Sequence, residues 1–393
     1  MTNLIFDLNN IAHRSLFMVS GYGTKSYTFN NDTEIQQLMR KMATDIAFLT
    51  RIINPSRIFF AQDSTSWRKD IQIDENDGYK AQRTKSSVIN WNKIYNSLDE
   101  FTELMENNGM IITKIPKAEA DDVIALWSYE IANNQHQHVI IVTGDEDMRQ
   151  LVKAYEYEGN ESFVTVFNPF MQGKNSSRKL FVCPEFNEWI NTADPVDFMN
   201  MKGTINVDKE DFMKIKGAEK TRMEVINGQM IALRKIFCGD DGDNIPSIFT
   251  WAVKDKNDED KQVRFTNSKF EKIIEILTSS RNHLPDHNEL IERHAQVLTL
   301  VQDLTKQTVP FNMKERLIRQ TKLAVLDENF FPTEIVETFH NTKQEQLNKP
   351  RINYGNVNMR DLLEGTRYIT EHKQSSEASI FKQIDRIKST SLF

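Results

Sequence analysis

Three short apolar runs in the first part of the chain stop at an aspartate. Leu4-Ile5-Phe6 ends at Asp7, Ile58-Phe59-Phe60-Ala61 is followed by Asp63, and Val139-Ile140-Ile141-Val142 leads through Thr143-Gly144 to Asp145. Runs of this length without polar alternation are strands buried on both faces, the signature of a parallel sheet. In such a sheet the carboxyl ends of the strands share one edge, so the three acids are expected side by side. Glu119-Ala120-Asp121-Asp122, then Asp147, Asp240 and Asp243, bring the set to nine, and no adjacent run of lysine or arginine neutralises them.

Crowding of this kind is costly, since two unit charges about 4 Å apart repel by roughly 1 kcal/mol even at the dielectric of water. A cation is therefore expected among them. Oxygen donors, with no His or Cys at matching spacing, select hard ions, Mg2+ with Mn2+ as a substitute, over zinc. A single strand-end aspartate can equally be a turn or helix cap. Capping alone does not require Glu-Ala-Asp-Asp and Asp-x-Asp together.

The chain alternates strand and helix signals up to about residue 152. Helices are expected near Asn9 to Met18, from Thr33 with Ile35, Leu38, Met39, Met42 and Ile46 on one stripe until Pro55, and from Trp91 to Asn107. Further strands are Arg57 to Ala61, Met110 to Ile115, Val139 to Val142 and Val164 to Phe167, with Gly173 to Lys179 read as a loop. The fold class is α/β, a parallel sheet covered by helices on both faces, followed by a largely α-helical C-terminal part. Residues 1 to 250 are expected to form one domain and 251 to 370 a second. The charge-mixed segment Lys254 to Lys261 reads as a surface loop, and residues 371 to 393 as a flexible tail.

With 393 residues the chain is long enough for more than one core. Two cysteines fit a reducing compartment, and the first residues read as a strand, not a leader; a soluble, cytoplasmic monomer is expected. The net charge of −7 argues little against a polyanionic partner, because setting the nine acids aside leaves +2. Two hard cations about 4 Å apart suit in-line phosphodiester hydrolysis. A grip on phosphate is offered by the connection after the second strand, with Arg68, then Tyr79, Lys80, Arg83 and Lys85. Lys80 and Arg83 would share a helix face, with Tyr79 as a stacking ring. A solvated loop is the plain alternative, because Asp70, Asp74, Glu75 and Asp77 nearly cancel these charges.

These motifs, in this order, resemble the structure-specific 5′ nucleases, the flap endonuclease and 5′-3′ exonuclease family, and within it the ribonuclease H branch of T-even-type bacteriophages. The resemblance spans residues 1 to about 250 and includes Tyr79-Lys80-x-x-Arg83 and Gly239-Asp240-Asp241-Gly242-Asp243-Asn244. It implies a PIN-like fold and a two-Mg2+ enzyme that removes RNA primers and 5′ flaps during DNA replication. Asp7, Asp63, Glu119, Asp121 and Asp145 would serve one ion, and Asp122, Asp147, Asp240 and Asp243 the other. Lys80 and Arg83 would steady the scissile phosphate, Tyr79 would stack on a base, and about 64 to 90 would be the arch for a single strand.

Two departures stand out. Ile245-Pro246-Ser247-Ile248-Phe249 replaces the family's glycine-rich duplex-binding hairpin, leaving Thr266 to Lys269 at a later helix start as a substitute. An insertion is expected at about 180 to 225. The ending Leu392-Phe393 partly resembles sliding-clamp docking peptides, and a single-strand-binding protein is a further candidate partner. Competing readings are a catalytically silent nucleic-acid-binding protein and a PIN-domain ribonuclease.

Overall fold

A computed structural model describes residues 1–21, 27–53, 55–73, 78–83, 86–169, 178–192, 221–254, 259–279 and 283–349. Eight strands form one sheet. β1 (Thr2–Asp7) lies between β2 (Arg57–Ala61) and β4 (His138–Val142), β3 (Ile111–Thr113) flanks β2, and all four run parallel. The order β3-β2-β1-β4 reverses direction between β1 and β4. Ligands of open α/β sheets bind at such a reversal, outside the carboxyl ends of the strands.

β6 (Asn160–Asn168) continues the sheet in parallel with β4. Beyond it the expected purely parallel pattern gives way, because β5 (Lys153–Tyr157) and β7 (Arg178–Val182) both pair antiparallel to β6, and β8 (Thr221–Val225) then joins β7. Arg178 and Lys179, expected in a loop, lie on β7. β5 was hidden by its half-exposed Lys-Ala-Tyr-Glu-Tyr sequence, which presents no continuous apolar run. Residues 193–220 of the expected insertion, with Lys214, Lys216 and Lys220, lie outside the described residues, as does the tail.

Helices α1 (Leu8–Val19), α2 (Asp32–Ile53), α3 (Trp91–Asn107) and α4 (Ala120–Tyr129) cover the sheet. Their periodic apolar residues meet the strands in one core that includes Phe6, Phe59, Phe60, Leu38, Phe101 and Trp127, all buried. Each such side chain contributes roughly 1.5–3 kcal/mol of burial.

A second apolar cluster takes Ile73 and Tyr79 from the connection after β2 and then residues from Ala232 to Val325, so it straddles residue 250. It holds α6 (Gly228–Cys238), α7 (Asn267–Thr278) and α10 (Met313–Ala324); α5 (Pro184–Thr192), α8 (His287–Glu292) and α9 (His294–Thr305) complete the order up to that point. The expected surface loop at 254 to 261 is flanked by strands, β9 (Thr250–Lys254) and β10 (Asp260–Arg264), paired antiparallel. α11 (Thr333–Leu347) returns to the first core, where Phe339 packs edge-on against Trp127 at 4.9 Å.

The stretch that replaces a glycine-rich hairpin turns inward. Ile245, Ile248 and Phe249 are buried in the second core, and Arg316 donates to the carbonyls of Ile248 at 3.0 Å and Ser247 at 2.8 Å, beside Gln320 on that of Pro246. Those carbonyls accept from within the second core, and the Ile248 N–H donates to the Phe237 carbonyl at 2.9 Å, so the segment is tied into the packing between α6 and α10.

Candidate active site

The parallel strands deliver their acids as expected. Asp7 ends β1 and caps α1, its carboxylate accepting from the Asn10 N–H at 2.9 Å and from the Thr143 hydroxyl at 3.1 Å. Asp63 follows β2 and accepts from Asn9 Nδ2 at 2.5 Å and from the Ala120 N–H at 2.7 Å, which ties it to the start of α4. Asp145 follows β4 and accepts from the Asp147 N–H at 2.9 Å.

These groups lie close enough to act on one another's charge. Burial, then the neighbouring Asp63, pushes the Asp7 carboxyl up to about 7. Burial, then Asp145, raises Asp121 well above the ordinary carboxylate range. Among the described residues no lysine or arginine forms an ion pair with Asp7, Asp63, Asp121 or Asp145. An all-oxygen donor set of this kind, with Asp7 and Asp121 held above the ordinary carboxylate range, fits a hard divalent cation.

Glu119 and Asp122 are placed differently from that expectation. They form a reciprocal capping box at the start of α4, and Asp122 is fully buried, accepting from the Trp67 indole at 3.1 Å and the Glu119 N–H at 3.0 Å. Arg68, also buried, sits 2.8 Å from Asp122 and 3.2 Å from Glu119. Both bonds fall on Oδ2 while Oδ1 faces Arg68, so full burial, the capping box and the ion pair make Asp122 part of the scaffold of this corner. Arg68, expected on the substrate surface, holds the two acids together from beneath.

Tyr79 also differs. It is 5% exposed, in the second core, and its hydroxyl donates to Glu119 at 3.0 Å, with Asp243 at 3.3 Å; a ring so enclosed cannot stack on a base from solvent. Lys80 lies in a turn and not on a helix, at φ +55°, a left-handed backbone that its N–H bond to the Asp243 carbonyl at 2.9 Å secures. Its ammonium is 2.5 Å from Glu119 and 3.9 Å from Asp243. Burial pushes Glu119 up, but Lys80 and then Arg68 outweigh it and hold the carboxyl below its ordinary value. Arg83 pairs with Asp243 with its guanidinium half in solvent. Lys85 lies outside the described residues.

Asp147, Asp240 and Asp243 make a second group, their oxygens all within 4.8 Å of one another. Asp147 comes from the turn after β4, and the other two from the loop after α6. Two glycines allow this approach. Gly239, at φ +74°, would place a Cβ 2.4 Å from the Ile245 carbonyl, and Gly228 one 2.6 Å from the carbonyls of Gln150 and Val152, so α6 packs hard against the Asp147 turn.

Lys235, on α6, points into this group and was not anticipated from sequence. Its ammonium contacts Asp147 and lies 3.0 Å from Asp240 and 3.6 Å from Asp243, and it is 8% exposed. Burial pushes Asp147 up to about 6 although Lys235 opposes it, whereas at Asp240 the Lys235 contribution overcomes burial and lowers the carboxyl. The available signal was the helical stripe: Lys235 shares the buried side of α6 with Ala232, Leu233 and Ile236, an unusual place for an unpaired charge. One cleft contains Asp121, Asp147, Lys235 and Asp243, with Arg68 and Tyr79 behind, so the two acid groups face a common space.

Comparison with known families decides what this edge belongs to. Residues 2–179 match the 5′-3′ exonuclease, N-terminal resolvase-like domain. Within that span the chain carries a 5′-3′ exonuclease N-terminal resolvase-like domain. Among solved structures, the bacteriophage T5 D15 protein co-crystallized with metal ions is 14% identical over 93% of this chain and 99% of that one, with a TM-score of 0.47. The bacteriophage T5 D15 flap endonuclease in a pseudo-enzyme–product complex with DNA and metal ions is 15% identical over 93% and 98%, with a TM-score of 0.46. No curated protein matches. Among the described residues no helix is long and apolar enough to cross a membrane.

Proposed function

We propose that this chain is a Mg2+-dependent 5′ nuclease that removes RNA primers and 5′ flaps during DNA replication, with RNase H activity like the phage branch its motifs resemble. The observation that carries the reading is the uncompensated acid group, Asp7, Asp63, Asp121 and Asp145, at the strand-order reversal of a 5′-3′ exonuclease domain. These four would hold the first ion. Asp147, Asp240 and Asp243 would hold a second, with Mn2+ able to replace Mg2+. When bound, such ions lower the pKa of a water and stabilise charge on the attacked phosphate.

The protein's own groups set the geometry. Asn9 and the Ala120 N–H fix Asp63, while Thr143 and the Asn10 N–H fix Asp7, so these carboxylates are oriented before substrate arrives. Lys80, paired with Glu119, and the half-exposed Arg83, paired with Asp243, border the acids and would contact the scissile phosphate. Residues 1 to about 250 would carry the chemistry, with 64 to 90 as arch. The helical part after residue 250, including the start of α7 at Thr266, would bind duplex backbone. DNA and RNA–DNA hybrids with 5′ ends are the substrates.

End-labelled flap, nicked and RNA-primed duplexes incubated with Mg2+ or EDTA test this. Short 5′ products with Mg2+ and none with EDTA are expected. Binding without cleavage at any divalent-ion concentration would overturn the reading in favour of a silent nucleic-acid-binding protein.

A further inference from the structure

Three carboxylates that converge within 4.8 Å need a positive charge between them, and in this protein a side chain supplies it. The Lys235 ammonium approaches one oxygen of each, contacting Asp147 and lying 3.0 Å from Asp240 and 3.6 Å from Asp243. Its position is not that of a wandering surface lysine. The residue is 8% exposed on a helix whose N-terminus is capped by Asn227 and pressed against the Gln150 and Val152 carbonyls at Gly228. The same carboxylates that would receive a second divalent ion are therefore already ligated by an internal cation.

We propose that Lys235 is a displaceable counter-ion: its ammonium and a divalent cation compete for Asp147, Asp240 and Asp243, and the second ion position fills only when Lys235 withdraws. The inference rests on the metal-nuclease reading and adds to it an order of occupancy. The group at Asp7, Asp63, Asp121 and Asp145, which has no such competitor, fills first. Charge balance gives the sense of the competition. Arg83 also pairs with Asp243, so three carboxylates with two side-chain cations keep one negative charge, and exchange of Lys235 for a divalent ion neutralises the group; a divalent ion is favoured once the lysine has another anion to meet. A phosphate entering the common cleft is such an anion.

Counting bound Mn2+ by the loss of its free-ion electron paramagnetic resonance signal, without nucleic acid, tests this directly. The wild-type protein is expected to bind one Mn2+ tightly and a second at least tenfold more weakly. Lys235→Met keeps an unbranched stem of similar length and removes the charge, and is expected to tighten the second Mn2+ at least tenfold. Adding Asp240→Asn to that variant should abolish the gain. If Lys235→Met does not fold, Asp147→Asn alone decides: the tight Mn2+ should remain, and its loss would overturn the proposal. Two equally tight ions in the wild type, or unchanged Mn2+ binding in Lys235→Met, would also overturn it while leaving Mg2+-dependent cleavage intact. A wild type that neither binds Mn2+ nor cleaves would overturn both readings.

Discussion

The two acid groups differ in how the fold treats the same electrostatic problem. At the edge of β1, β2 and β4, Asp7 and Asp121 are pushed up by burial and by other carboxylates, and among the described residues no ion pair relieves them. Across the cleft, Asp147, Asp240 and Asp243 converge more tightly and share a lysine that protrudes from α6. The first group is built by the strand ends and the start of α4, with Lys80 acting on Asp121 from its pair with Glu119. The second is built by two separate pieces of chain, and one of them brings its own charge. The two groups therefore differ in what they contain: the tighter one holds a lysine within it, and the wider one has none in ion-pair contact among the described residues.

The largest effect is expected where that counter-charge is missing. Asp145→Asn or Asp63→Asn should reduce Mg2+-dependent cleavage by at least about a thousandfold, roughly 4 kcal/mol of transition-state stabilisation, with circular dichroism unchanged. Undiminished turnover in either purified variant would break the assignment of the first group. Next comes Lys80→Ala, expected to slow single-turnover cleavage by about a hundredfold while substrate affinity changes by only a few-fold. A loss confined to affinity would make Lys80 a surface contact.

Gly239→Ala sharpens the comparison from the other side, because only the second group depends on that turn. A side chain at φ +74°, running into the Ile245 carbonyl, should cost about 3 kcal/mol and lower the melting temperature by roughly 5 °C or more. The smallest effect is a pH dependence. Asp7 near 7 and Asp147 near 6 lie above the ordinary 3.8, so between those values the folded chain binds more protons than the unfolded one, and stability falls as pH rises through that window. In EDTA the melting temperature should decline from about pH 5 to pH 7.5, and Asp7→Asn should flatten the slope. Equal slopes in the two proteins would remove Asp7 from the strained group.

Strand-end acids were legible because a doubly buried parallel strand has a continuous apolar sequence, and its last residue must sit on the shared edge. α3 was legible from its inward stripe of Ile94, Leu98, Phe101 and Met105 and from Gly109 beyond its end. The antiparallel extension was not, since β5 and β7 are half exposed and carry lysine and arginine at positions that read as loop. The connection holding Arg68 and Tyr79 failed for another reason. Charge runs look solvated in sequence, and only the fold reveals that Glu119, Asp122 and Asp243 wait to receive them. Lys235 lacked a motif altogether; its one signature was a charge on the apolar side of a short helix.

The path of the backbone has its own consequence. After contributing the second cluster up to Val325, the chain comes back so that Phe331, Ile335 and Phe339 join the first, with Lys343 on Glu130 and Gln346 bonded to Thr113 and the Ile112 carbonyl. The catalytic layer is therefore closed by a strap from late in the chain. Cutting the polypeptide between Val325 and Phe331 would strip the lid from Trp127 and unsettle the sheet that aligns the acids, long before anything in the helical cluster was touched.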